Sequence, residues 1–179
     1  LVEQTLTISL LNKEYFSMED TDIPVHRVIH EVISGYTFSI RQMNISVVNK
    51  LPPDCTVYIS PFHITTIFEN LISNAIKYNR RDGMITFDLF EEGSMWAFSI
   101  NDTGIGLTPE EAVQVFDEFY KADPARHDHS SHGLGLSIVH RIVTMYGGSI
   151  SVSSRGRGEG ATFIVKLPRY IRTIDEGRG

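Results

Sequence analysis

The chain has 179 residues and a mass of 20.2 kDa, with 41% hydrophobic residues, 21% charged residues and a formal net charge of −6 at pH 7. That composition fits a globular domain with a sizeable core, and the negative balance argues against a nucleic-acid or anionic-membrane surface. Cys55 is the single cysteine, which excludes a disulfide framework and a cysteine-based zinc site, and no apolar run approaches the roughly 18 residues of a membrane span.

The chain opens at Leu1 without a signal-like start and reads as a piece of a longer protein. Residues 1–16 place Val2, Leu6, Ser9, Leu10 and Lys13 at helical spacing with no core partner nearby. They form either a frayed terminal helix or the end of a helix cut from a larger bundle. Residues 18–23 read as a short acidic linker, with Thr21 or Asp22 placed to cap the next helix. That helix is predicted over 24–39, with Val25, Val28, Ile29, Val32 and Ile33 inward. Residues 45–47 and 56–59 read as strands parted by the breaker Leu51-Pro52-Pro53-Asp54.

A longer helix begins near Pro61, a residue tolerated in a first helical turn. Ile64, Ile67, Phe68, Leu71, Ile72, Ala75 and Ile76 recur at spacings of three and four and make one buried stripe. Asn70, Asn74, Lys77 and Tyr78 fall at i, i+4, i+7 and i+8 and share a second face. Carboxamide oxygens are hard neutral donors for Mg²⁺, and an ammonium is a point charge for a phosphate. The alternative is an ordinary amphipathic helix with a polar outer face.

A hairpin follows, with alternating strands over 84–90 and 96–100 and a turn at Glu92-Gly93-Ser94. Its second strand runs into Asp102-Thr103-Gly104-Ile105-Gly106. A carboxylate at a strand end can accept a hydrogen bond from an exocyclic amine, and Gly104 and Gly106 let backbone approach a flat ring. The same run is also ordinary turn chemistry. A helix over 108–115 is capped by Thr108, with Pro109 first and Glu111 three residues on. Residues 116–132 are polar, contain Lys121, Arg126, His127 and His129, and read as a long mobile loop, disordered or functional. Gly133-Leu134-Gly135-Leu136 opens a helix that runs to Tyr146 and ends at Gly147-Gly148. Its N–H groups form either an anion site or a plain loop-to-helix junction. Strands over 149–153 and 162–167 enclose a hairpin loop at 155–160, and 168–179 is a charged tail. There are no internal repeats.

In this order the segments resemble the catalytic and ATP-binding domain of sensor histidine kinases, within the superfamily of gyrase, MutL-type and heat-shock-chaperone ATPases. The run from Asn70 to Tyr78 resembles the asparagine box, Asp102 to Gly106 the first glycine box and Phe116 to Lys121 the phenylalanine box. Gly133 to Leu136 resembles the second glycine box, and Gly160-Ala161-Thr162-Phe163 the terminal glycine-threonine motif. The resemblance covers 24–167 and implies a Bergerat-type α/β two-layer sandwich, a mixed sheet with helices on one face. It divides the chain into the end of a dimerisation-domain helix and linker (1–20), the ATP-binding catalytic domain (21–168) and a flexible tail (169–179).

The resemblance also implies roles. Asp102 would bind the adenine amine, supported by Thr162 through a water, with Gly104 and Gly106 against the nucleotide and Tyr78 flanking the ring. Asn74 and Asn70 would hold Mg²⁺, and Lys77 would meet the phosphates. Gly133, Leu134, Gly135 and Leu136 would line the site, and Lys121 and Arg126 would act from a lid. Asn70, Lys77 and Arg126 form the catalytic set for γ-phosphoryl transfer from ATP, a reaction that needs mainly positioning and charge neutralisation. The implied partners are a histidine-bearing dimerisation domain of the same protein and a response regulator, with no nucleic acid. The fragment is expected to be monomeric and the full-length protein a homodimer, this being a cytoplasmic domain of a sensor that is either membrane-anchored or not, a choice the sequence leaves open.

Two features depart from the pattern. ATPases of the superfamily usually carry a glutamate where this chain has Asn70, and Asn cannot act as a general base. The lid often ends in glycine, serine or threonine where this chain has His132. Alternatives are an ATP hydrolase of the same fold, a non-catalytic nucleotide-binding module and a serine kinase of the anti-sigma type. His30-Glu31 imitates an acceptor box, but Gly35 stands where the box has proline, so His30 reads as a surface histidine. His127, His129 and His132 lack a carboxylate or cysteine frame beyond Asp128 for a metal site. His63 and His140 read as structural.

Overall fold

The computed structural model describes residues 19–120 and 133–169. The elements run β1 (Thr21–Pro24), α1 (Val25–Gly35), α2 (Thr37–Met43), β2 (Ser46–Asn49), β3 (Thr56–Ile59), α3 (Pro61–Lys77), β4 (Met84–Glu92), β5 (Met95–Asp102), α4 (Pro109–Gln114), α5 (Gly135–Met145), β6 (Ser149–Ser153) and β7 (Ala161–Pro168). Alternation along the long strands decides which face is covered. Ile85, Phe87, Phe98, Ile100, Phe163, Val165 and Leu167 are buried on one side. Thr86, Asp88, Asn101 and Phe90 point to the other, where Phe90 is 53% exposed.

The main sheet is mixed, in the order β2-β4-β5-β7-β6, with β2 parallel to β4 and the remaining pairs antiparallel. Helices cover its apolar face. The predicted stripe of α3 is buried from Ile64 to Ile76, and Phe68 meets Phe98 edge-on at 5.7 Å between centroids. On either side of α3, α1 contributes Val25, Val28, Ile29 and Val32, and α5 contributes Ile138, Val139, Ile142 and Val143. The result is the expected two-layer α/β arrangement with its core between helices and sheet. Among the described residues, no helix is long and apolar enough to cross a membrane.

Three expectations change. Residues 21–24 are not a linker but strand β1, antiparallel to β3 with Thr21 opposite Ile59 and Pro24 opposite Thr56. The N-cap position of α1 is therefore Pro24, and no side chain caps the helix. The predicted helix over 24–39 is two helices. Tyr36, at φ −104° and ψ 13°, turns the chain between α1 and α2, and α2 buries no residue completely. At the other end, Arg169 is not loose tail. Its guanidinium lies 4.7 Å from the Trp96 ring centroid and pairs with Glu91, and the Arg169 backbone N–H donates to the Ser94 carbonyl at 2.8 Å. The segments 1–16 and 170–179 lie outside the described residues.

Candidate functional site

The polar face of α3 stands as its spacing predicts, with Asn70, Asn74, Lys77 and Tyr78 all half-buried. Asn70 Nδ2 donates to the Thr66 carbonyl one turn back at 2.8 Å, which fixes the carboxamide. Its oxygen faces the start of α5, where a Cβ on Gly135 would collide with it. The second glycine run is thus seated directly on the first asparagine. The Lys77 ammonium lies 5.4 Å from the Tyr78 ring centroid.

Asp102 is the last residue of β5 and is 7% exposed. Its Oδ1 accepts the Gly104 N–H at 2.8 Å. Burial pushes its carboxyl above the ordinary range, opposed by hydrogen bonds from the backbone N–H groups of Gly104 and Ala161. Gly104 lies on the end of α3, where a Cβ would meet the Tyr78 carbonyl oxygen; that same carbonyl accepts the Ile105 N–H at 3.0 Å. Gly106 has φ +65°, and its open side faces the Gly156 carbonyl.

The β6–β7 loop does more than close a hairpin. Gly158 N–H donates to Ile105 O at 2.7 Å and Gly160 N–H to Gly104 O at 3.1 Å. Ser154 Oγ accepts the Leu107 N–H at 3.0 Å. Asn79, buried beyond the end of α3, accepts from Thr103 Oγ1 at 3.2 Å and donates to Met84 O at 3.3 Å. Thr103 Oγ1 accepts the Met84 N–H at 2.8 Å. Sequence reasoning missed Asn79, Thr103 and Ser154. The available signal was a polar residue just beyond a helix C-cap, for Asn79, and directly after a strand end, for Thr103 and Ser154, where free backbone groups need partners.

The predicted capping box of α4 is present: Glu111 N–H donates to Thr108 Oγ1 at 3.3 Å and Thr108 N–H to Glu111 Oε2 at 2.8 Å. The second carboxylate oxygen of Glu111 pairs with Arg157 of the β6–β7 loop. Phe119 N–H donates to Gly133 O at 3.0 Å, so residues 119 and 133 meet. Lys121, Arg126, His127, His129 and His132 lie outside the described residues. Leu134 and Leu136 are half-buried against the core.

One predicted position is corrected. Strands β5 and β7 pair Asn101 with Thr162 and Asp102 with Ala161. Thr162 therefore points away from Asp102, and its hydroxyl accepts from Asn101 Nδ2 at 2.6 Å on the far side of the sheet. One residue of register moves a side chain across a sheet. What β7 offers to Asp102 is the backbone N–H of Ala161.

A carboxylate buried under a glycine turn, beside a row of amides and an ammonium, is the equipment of a nucleotide-binding α/β domain. Residues 60–171 match the family of histidine kinase-, DNA gyrase B- and HSP90-like ATPases. The chain belongs to that family. It is 32% identical over 157 residues to the sensor-like histidine kinase SenX3 of Mycobacterium tuberculosis, covering 87% of this chain and 38% of that protein. The catalytic domain of histidine kinase ThkA superposes with a TM-score of 0.73 at 25% identity, covering 85% of this chain and 97% of that one. Histidine kinase ThkA in complex with response regulator protein TrrA gives a TM-score of 0.72 at 25% identity, over 94% of this chain and 48% of that one. The chain thus has the fold of a histidine kinase catalytic domain and spans well under half the length of the curated relative.

Proposed function

We propose that this chain binds Mg-ATP and donates the γ-phosphoryl group to a histidine on a dimerisation domain of the same protein, for relay to a response regulator. The segment ahead of residue 21 is read as the end of that domain's helix and linker, and the full-length protein as a homodimer. The observation that carries this reading is the seating of Gly135 on Asn70. It brings the amide row of α3 to the N–H groups that open α5, which supports a phosphate and a cation held at one place.

The residues fit both ligands. Asp102 accepts the adenine amine, held in place by Gly104 and Ala161, while Gly104 and Gly106 leave room that a Cβ would fill. Asn70 and Asn74 are the Mg²⁺ donors. Lys77 meets the phosphates, and Tyr78 flanks the ring. Gly133 to Leu136 supply backbone and apolar contacts, and Lys121 and Arg126 act from the lid. Mg²⁺, when bound, neutralises phosphate charge. Asn70 has no basic atom to take a proton from water, which spares ATP for a histidine acceptor.

Calorimetric titration with Mg-ATP tests the site. Asp102→Ala is expected to weaken binding about tenfold to a hundredfold, the worth of a hydrogen bond to a charged group. A change below threefold removes Asp102 from the site.

A further inference from the structure

Asp20 lies just before β1, where the chain joins the described domain, and it is half-buried. Its Oδ1 accepts the hydroxyl hydrogen of Tyr146 at 2.8 Å. Tyr146 directly follows the last residue of α5. The same hydroxyl oxygen accepts the Ser60 N–H at 3.2 Å and lies 2.8 Å from His63 Nδ1. Ser60 is the N-cap position of α3, and His63 is in its first turn. A phenol has one hydrogen, and an ionised carboxylate only accepts. With that hydrogen on Asp20, His63 is the donor to Tyr146, which fixes its Nδ1–H tautomer. One hydroxyl therefore joins three parts of the chain: the approach to β1, the start of α3 and the end of α5.

At its other end α5 touches α3 again, where Gly135 abuts the Asn70 carboxamide. Between these two points Ile138, Val139, Ile142 and Val143 are buried. A packed helix moves as a rigid body. A displacement at Tyr146 is therefore transmitted along α5 to Gly135, against which the Asn70 carboxamide directly sits.

We propose that Tyr146 is a positioning residue for the nucleotide site: its hydrogen bonds to Asp20, Ser60 and His63 clasp the chain ahead of β1 to α3 and α5, and so set the second glycine run against Asn70. This rests on the nucleotide-binding reading above. A displacement of Asp20 then reaches the start of α5 through a single hydroxyl.

The test uses the full 179-residue chain as wild type, Tyr146→Phe, Asp20→Ala and Asp20→Asn. Mg-ATP affinity, thermal stability and amide hydrogen exchange at residues 135–138 are measured for each. Tyr146→Phe and Asp20→Ala are expected to bind Mg-ATP about three- to tenfold more weakly and to exchange faster at 135–138. Asp20→Asn keeps an acceptor oxygen and is expected to stay within about twofold of wild type. Lower stability with unchanged affinity and unchanged exchange, or no rescue by Asn, overturns the clasp. If Tyr146→Phe does not fold, the Asp20 pair decides. If wild type itself fails to bind Mg-ATP, the nucleotide reading falls and the exchange data alone judge the clasp, with unchanged exchange overturning it.

Discussion

Asp102 and His63 are both buried titratable groups, and burial acts on their stability contributions with opposite signs. Asp102 has a folded-state pKa raised by desolvation. Its contribution favours folding below the ordinary value of about 3.9 and is lost as pH rises through the folded value. His63 has a folded-state pKa lowered by desolvation, opposed by the charge of Asp20. Its contribution is present above about 6.5 and is lost as pH falls through the folded value. Thermal unfolding between pH 4 and pH 7.5 separates the two. Asp102→Asn keeps an acceptor for the Gly104 N–H and removes the buried charge. It is expected to raise the melting temperature of the nucleotide-free protein at pH 7 while weakening Mg-ATP binding. A lower melting temperature at that pH would show that the ionised carboxylate is net stabilising. His63→Gln is expected to flatten the loss of stability between pH 7 and pH 5, and an unchanged slope would assign that loss elsewhere. The position of Asp102 at a strand end before a glycine turn was legible because both patterns are local, although the same run also reads as ordinary turn chemistry. Thr162 was misplaced because its face depends on the β5–β7 register, which no local pattern encodes.

At the scale of elements, two glycines separate function from stability. A Cβ on Gly104 would meet backbone, the Tyr78 carbonyl, which cannot swing aside. Gly104→Ala is expected to destabilise the protein by about 1–3 kcal/mol, as overpacking does. A Cβ on Gly135 would meet only the tip of the Asn70 side chain. Gly135→Ala is expected to leave the urea midpoint nearly unchanged and to lower Mg-ATP affinity by displacing that carboxamide. Equal stability loss in the two variants would contradict this distinction. Thr108→Ala removes the acceptor for the Glu111 N–H in the α4 capping box and is expected to lower stability by about 1 kcal/mol. Helix α3 and the α4 cap were readable because periodicity and capping are local. The break at Tyr36 was hidden by apolar spacing that continues through Ile33 and Ile40. Strand β1 was hidden because its partner, β3, lies more than thirty residues along the chain.

For the whole molecule, the order of the helices and the hairpin was legible, but the parallel pairing of β2 with β4 was not, since it joins segments on either side of α3. What the assembled chain does alone follows from what it lacks. It is expected to bind Mg-ATP without labelling itself or hydrolysing the nucleotide at an appreciable rate. Of the seven histidines, none lies in a complete acceptor box. His30 is exposed on α1, a different helix from the amide row of α3. His63 is engaged by Tyr146, and the His140 ring lies 6.1 Å from the Phe116 ring between centroids. Hydrolysis lacks a base at Asn70, and a positioned base contributes about 10²–10⁴-fold. Incubation with γ-labelled ATP, alone and with a histidine-bearing dimerisation domain, is the measurement, followed by acid and base treatment of any label. Acid-labile label is expected only in the mixture, on the added domain. Acid-labile label on this chain alone would make one of its own histidines an acceptor, and rapid phosphate release without label would make the protein an ATPase despite Asn70.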